Sequence, residues 1–442
     1  MTSSPQSWSQ GASIDPGVAL SPARKRRVAP VVAASLGAGL MTATVFAVVA
    51  FAGAEEHVIT GTVLLAFALG WALLAACSAR WTDQPQRWAA IPAGCMGLVG
   101  AGLLILAPGA TALHALGWVW PPALLVLVVW MTLNARRQLR SRTRRWLLYP
   151  VLGLLVVASL GGVYETAQES LQHQALPAGG QLVDVGDHRL YLHCSGSGSP
   201  TVVLEAGLGE NSSAWKSIAP AVTRKTRVCI YDRAGLGSSE SASGSQNGIQ
   251  TATDLHTLLS RASEPGPYVL AGHSLGGAYV LGFAEQFPEQ VAGVALVDSM
   301  SPDQFTMVPS YGRFYDRLHR VSGLLPSVAR LGVGRIVGYG AREARGFRDE
   351  VAEIPDTLKQ ARALESIGSK PLIVITAGQG QQAGWASAQN ELGTLSTNSV
   401  HRIVPGATHA SLIEDRSDAA VTSQAIRDVV RSVRAAQPLA SP

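Results

Sequence analysis

Residues 28–54 contain no charged side chain, and such a run exceeds the roughly 20 residues that a helix needs to cross about 30 Å of hydrocarbon. Comparable charge-free runs follow at 58–77, 89–107, 115–133 and 147–163, so residues 28–166 are expected to form an all-α transmembrane region of about five helices. The first run is longer than the apolar core of a cleaved leader, although Ala52-Gly53-Ala54 resembles a processing site. Cleavage there would leave four spans and the same final side. No ionisable residue sits at the centre of a run, which points to an anchor rather than a transport path.

Loop charge sets the orientation, because Lys and Arg are retained on the cytoplasmic side. Arg24, Lys25, Arg26 and Arg27 precede the first run; Arg80 and Arg87 lie between the second and third; Arg136, Arg137, Arg140, Arg142, Arg144 and Arg145 precede the fifth. The alternate loops hold Glu55, Glu56 and His57, then residues 108–114, without Lys or Arg. Residues 1–27 are therefore expected as a disordered cytoplasmic tail, and everything beyond about residue 163 outside a cell membrane crossed several times. The formal charge of +5 gathers beside apolar runs, which favours a lipid bilayer over nucleic acid as the partner.

From about residue 177 to 436 the texture changes to short β-branched runs alternating with amphipathic stretches, the pattern of a parallel sheet flanked by helices. Eight strands are expected, at 181–185, 189–194, 201–204, 226–231, 268–271, 291–297, 371–376 and 399–404. Helices are expected near 214–222, 249–262, 275–287, 385–395 and 417–435.

Gly272-His273-Ser274-Leu275-Gly276 fits G-x-S-x-G, in which small flanking residues let a tight strand-to-helix turn hold a serine hydroxyl clear of the sheet. Its place directly after an apolar strand and before a helix makes Ser274 the expected nucleophile. Serine needs a general base. Of the histidines beyond it, His319 lies in a polar stretch and His401 within a strand, whereas His409 follows the last strand on a loop and is the expected base. The orienting acid should come from a nearby strand end. Residues 377–390 contain no Asp or Glu, while Asp298 ends the sixth strand and is the expected acid, unless it merely caps the loop. The developing oxyanion needs fixed donors, each contributing about 3 kcal/mol in comparable sites. The amides of Leu208, in the glycine-rich loop after the third strand, and of Leu275, after the nucleophile, are the expected pair. Gly207-Leu208-Gly209 lacks the third glycine of a dinucleotide fingerprint, with Ser212 in its place. Neither a cofactor nor a metal centre is expected.

With Leu204-Glu205-Ala206-Gly207, the loop from Tyr231 to Ser239 and the serine elbow, residues 181–435 resemble the α/β-hydrolase superfamily. The resemblance implies an eight-stranded, mostly parallel sheet in which strands two and four are neighbours, a cap inserted at 299–370, and ester hydrolysis as the commonest activity. Two departures stand out: no acid follows strand seven, and Glu205 stands where many relatives carry His. The implied strand order would place Cys194 beside Cys229, as a bridge or as two buried thiols. Aromatic and aliphatic residues of the insertion, Phe305, Tyr311, Phe314 and Tyr315 among them, would either line a site for a hydrophobic ester substrate or pack the cap down. The expected function is a membrane-anchored serine hydrolase of carboxylic esters. The same residues would also serve an aminopeptidase or an acyltransferase, and a catalytically silent ligand-binding domain is the alternative of another class.

Overall fold

The computed structural model describes residues 28–138, 148–172 and 176–440. The expected tail at 1–27 and the arginines at 140, 142, 144 and 145 lie outside the described residues.

The N-terminal part is helical: α1 (Val28–Val45), extended by the π-helical turn Phe46–Ala50, then α2 (Glu56–Trp81), α3 (Ala90–Leu106), α4 (Ala110–Gly117), α5 (Trp120–Gln138) and α6 (Tyr149–Gln172). Four of these segments are long and apolar enough to cross a membrane, and α4 with α5 makes a fifth if counted as one span bent by 44°. The fourth run, expected at 115–133, is thus spread over two helices. Pro121 and Pro122 open α5, and a proline ring clashes with the carbonyl four residues earlier, so the helix stops at Gly117 and restarts. Small residues let α1 and α2 approach closely: a methyl group added at Gly39 would lie 3.0 Å from the Gly70 Cα.

The C-terminal part is an eight-stranded sheet in the order β1-β2-β4-β3-β5-β6-β7-β8. The strands are β1 (Gln181–Asp184), β2 (Arg189–Ser195), β3 (Val202–Glu205), β4 (Val228–Tyr231), β5 (Tyr268–His273), β6 (Val291–Val297), β7 (Leu372–Ala377) and β8 (Ser399–Val404). Only the β1–β2 and β2–β4 pairings are antiparallel. Strand alternation divides the interior into two layers. Val203, Leu270, Leu296 and Val374 pack on one face with α7 (Gly248–Arg261) and α8 (Leu275–Gln286). Leu204, Ala271, Val297 and Ile375 pack on the other. Between β6 and β7 the cap carries α9 (Tyr311–Ser322), α10 (Leu325–Ala329) and α11 (Ala341–Ala361). Beyond β7 come α12 (Trp385–Leu392) and, after β8, α13 (Arg416–Ala435), whose Ile426 and Val429 close the second layer.

Cys194 and Cys229 face each other in the β2–β4 register and form a disulfide. Of the two readings open for the cap aromatics, packing accounts for Phe305, Tyr311 and Tyr315, whose rings lie edge to face at 5.0 and 5.3 Å. Phe314 also lies against Tyr311, at 5.9 Å, and both it and Phe305 remain exposed on their outer sides.

The cap docks on the helices that precede the sheet. Glu56, at the start of α2, pairs with both Arg330 and Arg345, the second at 2.6 Å. Glu165 on α6 pairs with Arg335 at 2.7 Å and accepts a hydrogen bond from the Ala341 amide at the start of α11. The cap thus meets the first loop without Lys or Arg, at Glu56, and the end of α6, at Glu165.

Candidate active site

The elbow is set by crowding as much as by strand and helix. A methyl at Gly272 would sit 2.5 Å from the Gly276 carbonyl oxygen, and one at Gly276 would collide with the Glu205 and Ala206 carbonyls. Only glycine fits at either place. Ser274 takes φ 56° and ψ −124°, a conformation costing of order 1–3 kcal/mol for a residue with a side chain. Its amide donates to the Val297 carbonyl at 3.1 Å, and its carbonyl accepts from Met300 at 2.9 Å, so β6 and its following loop hold the turn. Asp298, at the end of β6, also has positive φ, at 43°. Of the five such non-glycine residues described, two thus lie in this one cluster.

Asp298 Oδ2 lies 2.7 Å from His409 Nδ1. The carboxylate is 1% exposed and the imidazole 44%, so the pair presents one ring edge outward while its charge partner stays buried. Asp298 further accepts hydrogen bonds from Trp385 Nε1 at 2.9 Å, from the Ala377 amide at 3.2 Å and from Gln381 Nε2 at 3.3 Å. Burial pushes the Asp298 carboxyl up, but the bonds and charge of His409, with the donors of Trp385 and Ala377, outweigh it and hold the group below its ordinary value.

The imidazole of His409 lies beside the elbow, its ring centroid 4.6 Å from that of His273. His273 Nε2 faces the His409 carbonyl at 3.3 Å and its Nδ1 faces Glu210 at 3.4 Å. The structure therefore joins Asp298 to His409 directly and sets Ser274 next to them, without a hydrogen bond between Ser274 Oγ and His409. Such bonds commonly tighten only when substrate is bound. The other histidines have structural partners: His401 sits between Thr376 and Asn390, each at 2.8 Å, and the His319 ring lies against Gly53.

Leu208 and Leu275 lie on either side of the elbow. The Leu275 amide opens α8, where no intrahelical acceptor exists, and the Leu208 amide has no protein acceptor among the described residues. A methyl on Gly207 would lie 3.2 Å from Ser274 Cβ, so this loop runs directly past the serine.

A buried ionic network holds that loop; Glu205 and the loop from Tyr231 to Ser239 stand out in the sequence, but their association with each other and with Glu350 does not. Arg233 donates to the carbonyls of Ala206 at 2.7 Å and Gly207 at 2.6 Å, and pairs at 2.5 Å with both Glu205 and Glu350. Glu350, on α11, also accepts from the Gly209 amide at 2.7 Å. Glu205 further accepts from the Tyr231 hydroxyl. Burial works against the charge of Arg233, but the carboxylates of Glu350 and Glu205 hold its pKa well above the ordinary value. Burial also raises Glu205 against the pull of Arg233. The guanidinium is the better fixed of the two charges, since two carboxylates and two carbonyls surround it. The Tyr-Asp-Arg loop was visible in the sequence, but its partner Glu350 lies 117 residues further on.

A family model described as alpha/beta hydrolase fold matches residues 200–371. Among known relatives, an uncharacterised protein of Schizosaccharomyces pombe is 30% identical over 296 residues, covering 54% of each chain. The 2-hydroxy-6-oxo-2,4-heptadienoate hydrolase of Pseudomonas putida is 30% identical over 178 residues, covering 40% of this chain and 60% of that one. The chain thus spans little more than half the length of each. A thermophilic esterase from Thermogutta terrifontis is similar in structure at 20% identity and a TM-score of 0.46, with 57% of this chain and 99% of that one covered. The strand order, elbow and cap give the C-terminal part the α/β-hydrolase fold, that of the family whose model matches residues 200–371.

Proposed function

We propose that the protein is a membrane-anchored serine hydrolase that cleaves carboxylic esters with a hydrophobic acyl or alcohol part. The observation that carries this reading is the strained Ser274 elbow beside the bonded Asp298–His409 pair. In the proposed cycle Ser274 Oγ attacks the ester carbonyl and His409 takes its proton. Asp298 fixes the ring through Nδ1, and the amides of Leu208 and Leu275 receive the oxyanion. His409 returns the proton to the leaving alcohol. Water then attacks the acyl-enzyme by the same route, releasing acid and free Ser274.

In this reading residues 28–166 are the anchor and residues 177–436 the catalytic domain, with its cap at 299–370. Two observations support an extracytoplasmic position for that domain. It adjoins Glu56 and Glu165 at the helix ends that avoid Lys and Arg, and it contains a disulfide, a bond that persists in oxidising compartments. The direct test is labelling of the detergent-solubilised chain with a fluorophosphonate probe. Labelling lost on Ser274→Ala is expected; no labelling of the folded wild type would sink the proposal.

A further inference from the structure

We propose that the tip of the cap, from α10 to the turn before α11, is itself embedded in the bilayer leaflet nearest the hydrolase domain, with α9 lying at the headgroup level above it. The inference rests on reading α1–α6 as a membrane anchor.

Three observations carry it. The first is depth. Ser327 Oγ is hydrogen-bonded to Thr60 at 2.8 Å, and Thr60 lies one turn, about 6 Å, inward from Glu56 at the start of α2. Leu331 and Gly332 press on Gly161, which lies one turn inward from Glu165 on α6. Thr60 and Gly161 both belong to the charge-free runs of the sequence. The tip therefore runs alongside stretches that the bilayer reading already places in hydrocarbon. Its ionic contacts, Arg330 to Glu56 and Arg335 to Glu165, point back toward the helix ends.

The second is the surface of the tip. Leu325, Val328, Leu331, Val333 and Ile336 are all exposed, Ile336 to 83%. That matches the side chains on the outer face of α3, such as Ile105 at 80%. Large apolar side chains this exposed and this close together are unusual on a surface facing water.

The third is α9. Its C-terminal end packs against Gly53 at the end of the first span, through His319 and Gly323. Its exposed face carries Phe314 and Val321 beside Arg313, Arg317 and Arg320. Those arginines make no ion pair among the described residues. A short amphipathic helix with a basic flank at a helix-bundle rim has the character of an interfacial element, with guanidinium groups placed for lipid phosphates.

The test uses the full chain with Cys77→Ser and Cys95→Ser, carrying one nitroxide at Ile336→Cys or at Thr394→Cys, in phosphatidylcholine nanodiscs. Thr394 is exposed just before β8, at the end of the sheet away from the cap. The expected result is several-fold greater relaxation by oxygen than by a water-soluble nickel chelate at position 336, and the reverse at 394. Equal nickel access at both positions would overturn the proposal. So would a label at 336 shielded from both agents, with spin–spin broadening that unlabelled protein dilutes away, since a second copy would then cover the tip. Fluorophosphonate labelling of the same samples reports separately on Ser274, so loss of the hydrolase reading leaves the depth result standing.

Discussion

Asp298 accepts from four donors at once, and in the proposed cycle its negative charge is what His409 needs beside it during proton transfer. Asp298→Asn keeps the shape but loses the charge and the enforced tautomer. The expected result is a fall in kcat of about 10⁴-fold, as for the same change in a comparable triad, with KM little altered. Ester-hydrolysis kinetics check it. The same carboxylate has a consequence for stability. Its folded pKa lies below the unfolded value of about 3.9, so its contribution is fully present above that value and is lost as pH falls through the folded one. The gap in unfolding midpoint between wild type and Asp298→Asn should therefore be flat near neutral pH and shrink below about pH 4. A gap that widened in acid would contradict the sign. At this scale the grouping of Ser274, Asp298 and His409 was legible because each follows a strand, with a motif or an elimination to single it out. Trp385 and Gln381 were not, since nothing in local sequence says that the loop after β7 folds back over Asp298.

Between elements, the loop that carries Leu208 has its conformation imposed from outside. Arg233, from the loop after β4, holds its carbonyls, while Glu350, from the cap, holds its Gly209 amide. Arg233→Lys keeps a positive charge but cannot reach two carbonyls and two carboxylates with one ammonium. The expected outcome is a kcat reduced at least tenfold, an unchanged disulfide and a modest loss of stability. Arg233→Ala should instead destabilise by about 3–5 kcal/mol, because two buried carboxylates lose their countercharge. Thermal unfolding beside kinetics separates the two effects; an Arg233→Lys enzyme of normal kcat would leave the network purely structural. The strands were readable because alternation and β-branched runs depend only on neighbours in sequence; their order followed only from the resemblance to a known fold. The clamp was not, since it joins residues on separate elements whose approach exists only after the cap has folded down.

At the scale of the whole chain, the apolar runs announced the helices, and the cap rests on their ends at Glu56 and Glu165. What the sequence did not disclose was that Glu56 and Glu165 serve as anchoring points for arginines some 274 and 170 residues away. Glu56 is enclosed between Arg330 and Arg345. Its removal would leave two guanidinium groups facing each other with no carboxylate between them, a cost of about 3–5 kcal/mol when such a pair is buried. Glu56→Ala should thus loosen the cap without unfolding the sheet. In nanodiscs, amide exchange across residues 325–345 is expected to accelerate, while the buried strand β5 keeps its protection. Glu56→Gln, which retains an acceptor but not the charge, should fall between the two. If exchange in the cap were the same in all three proteins, the ionic contact would not be what joins the hydrolase domain to its helices. The joint would then have to reside in apolar packing at the tip, where Leu331 meets Gly161.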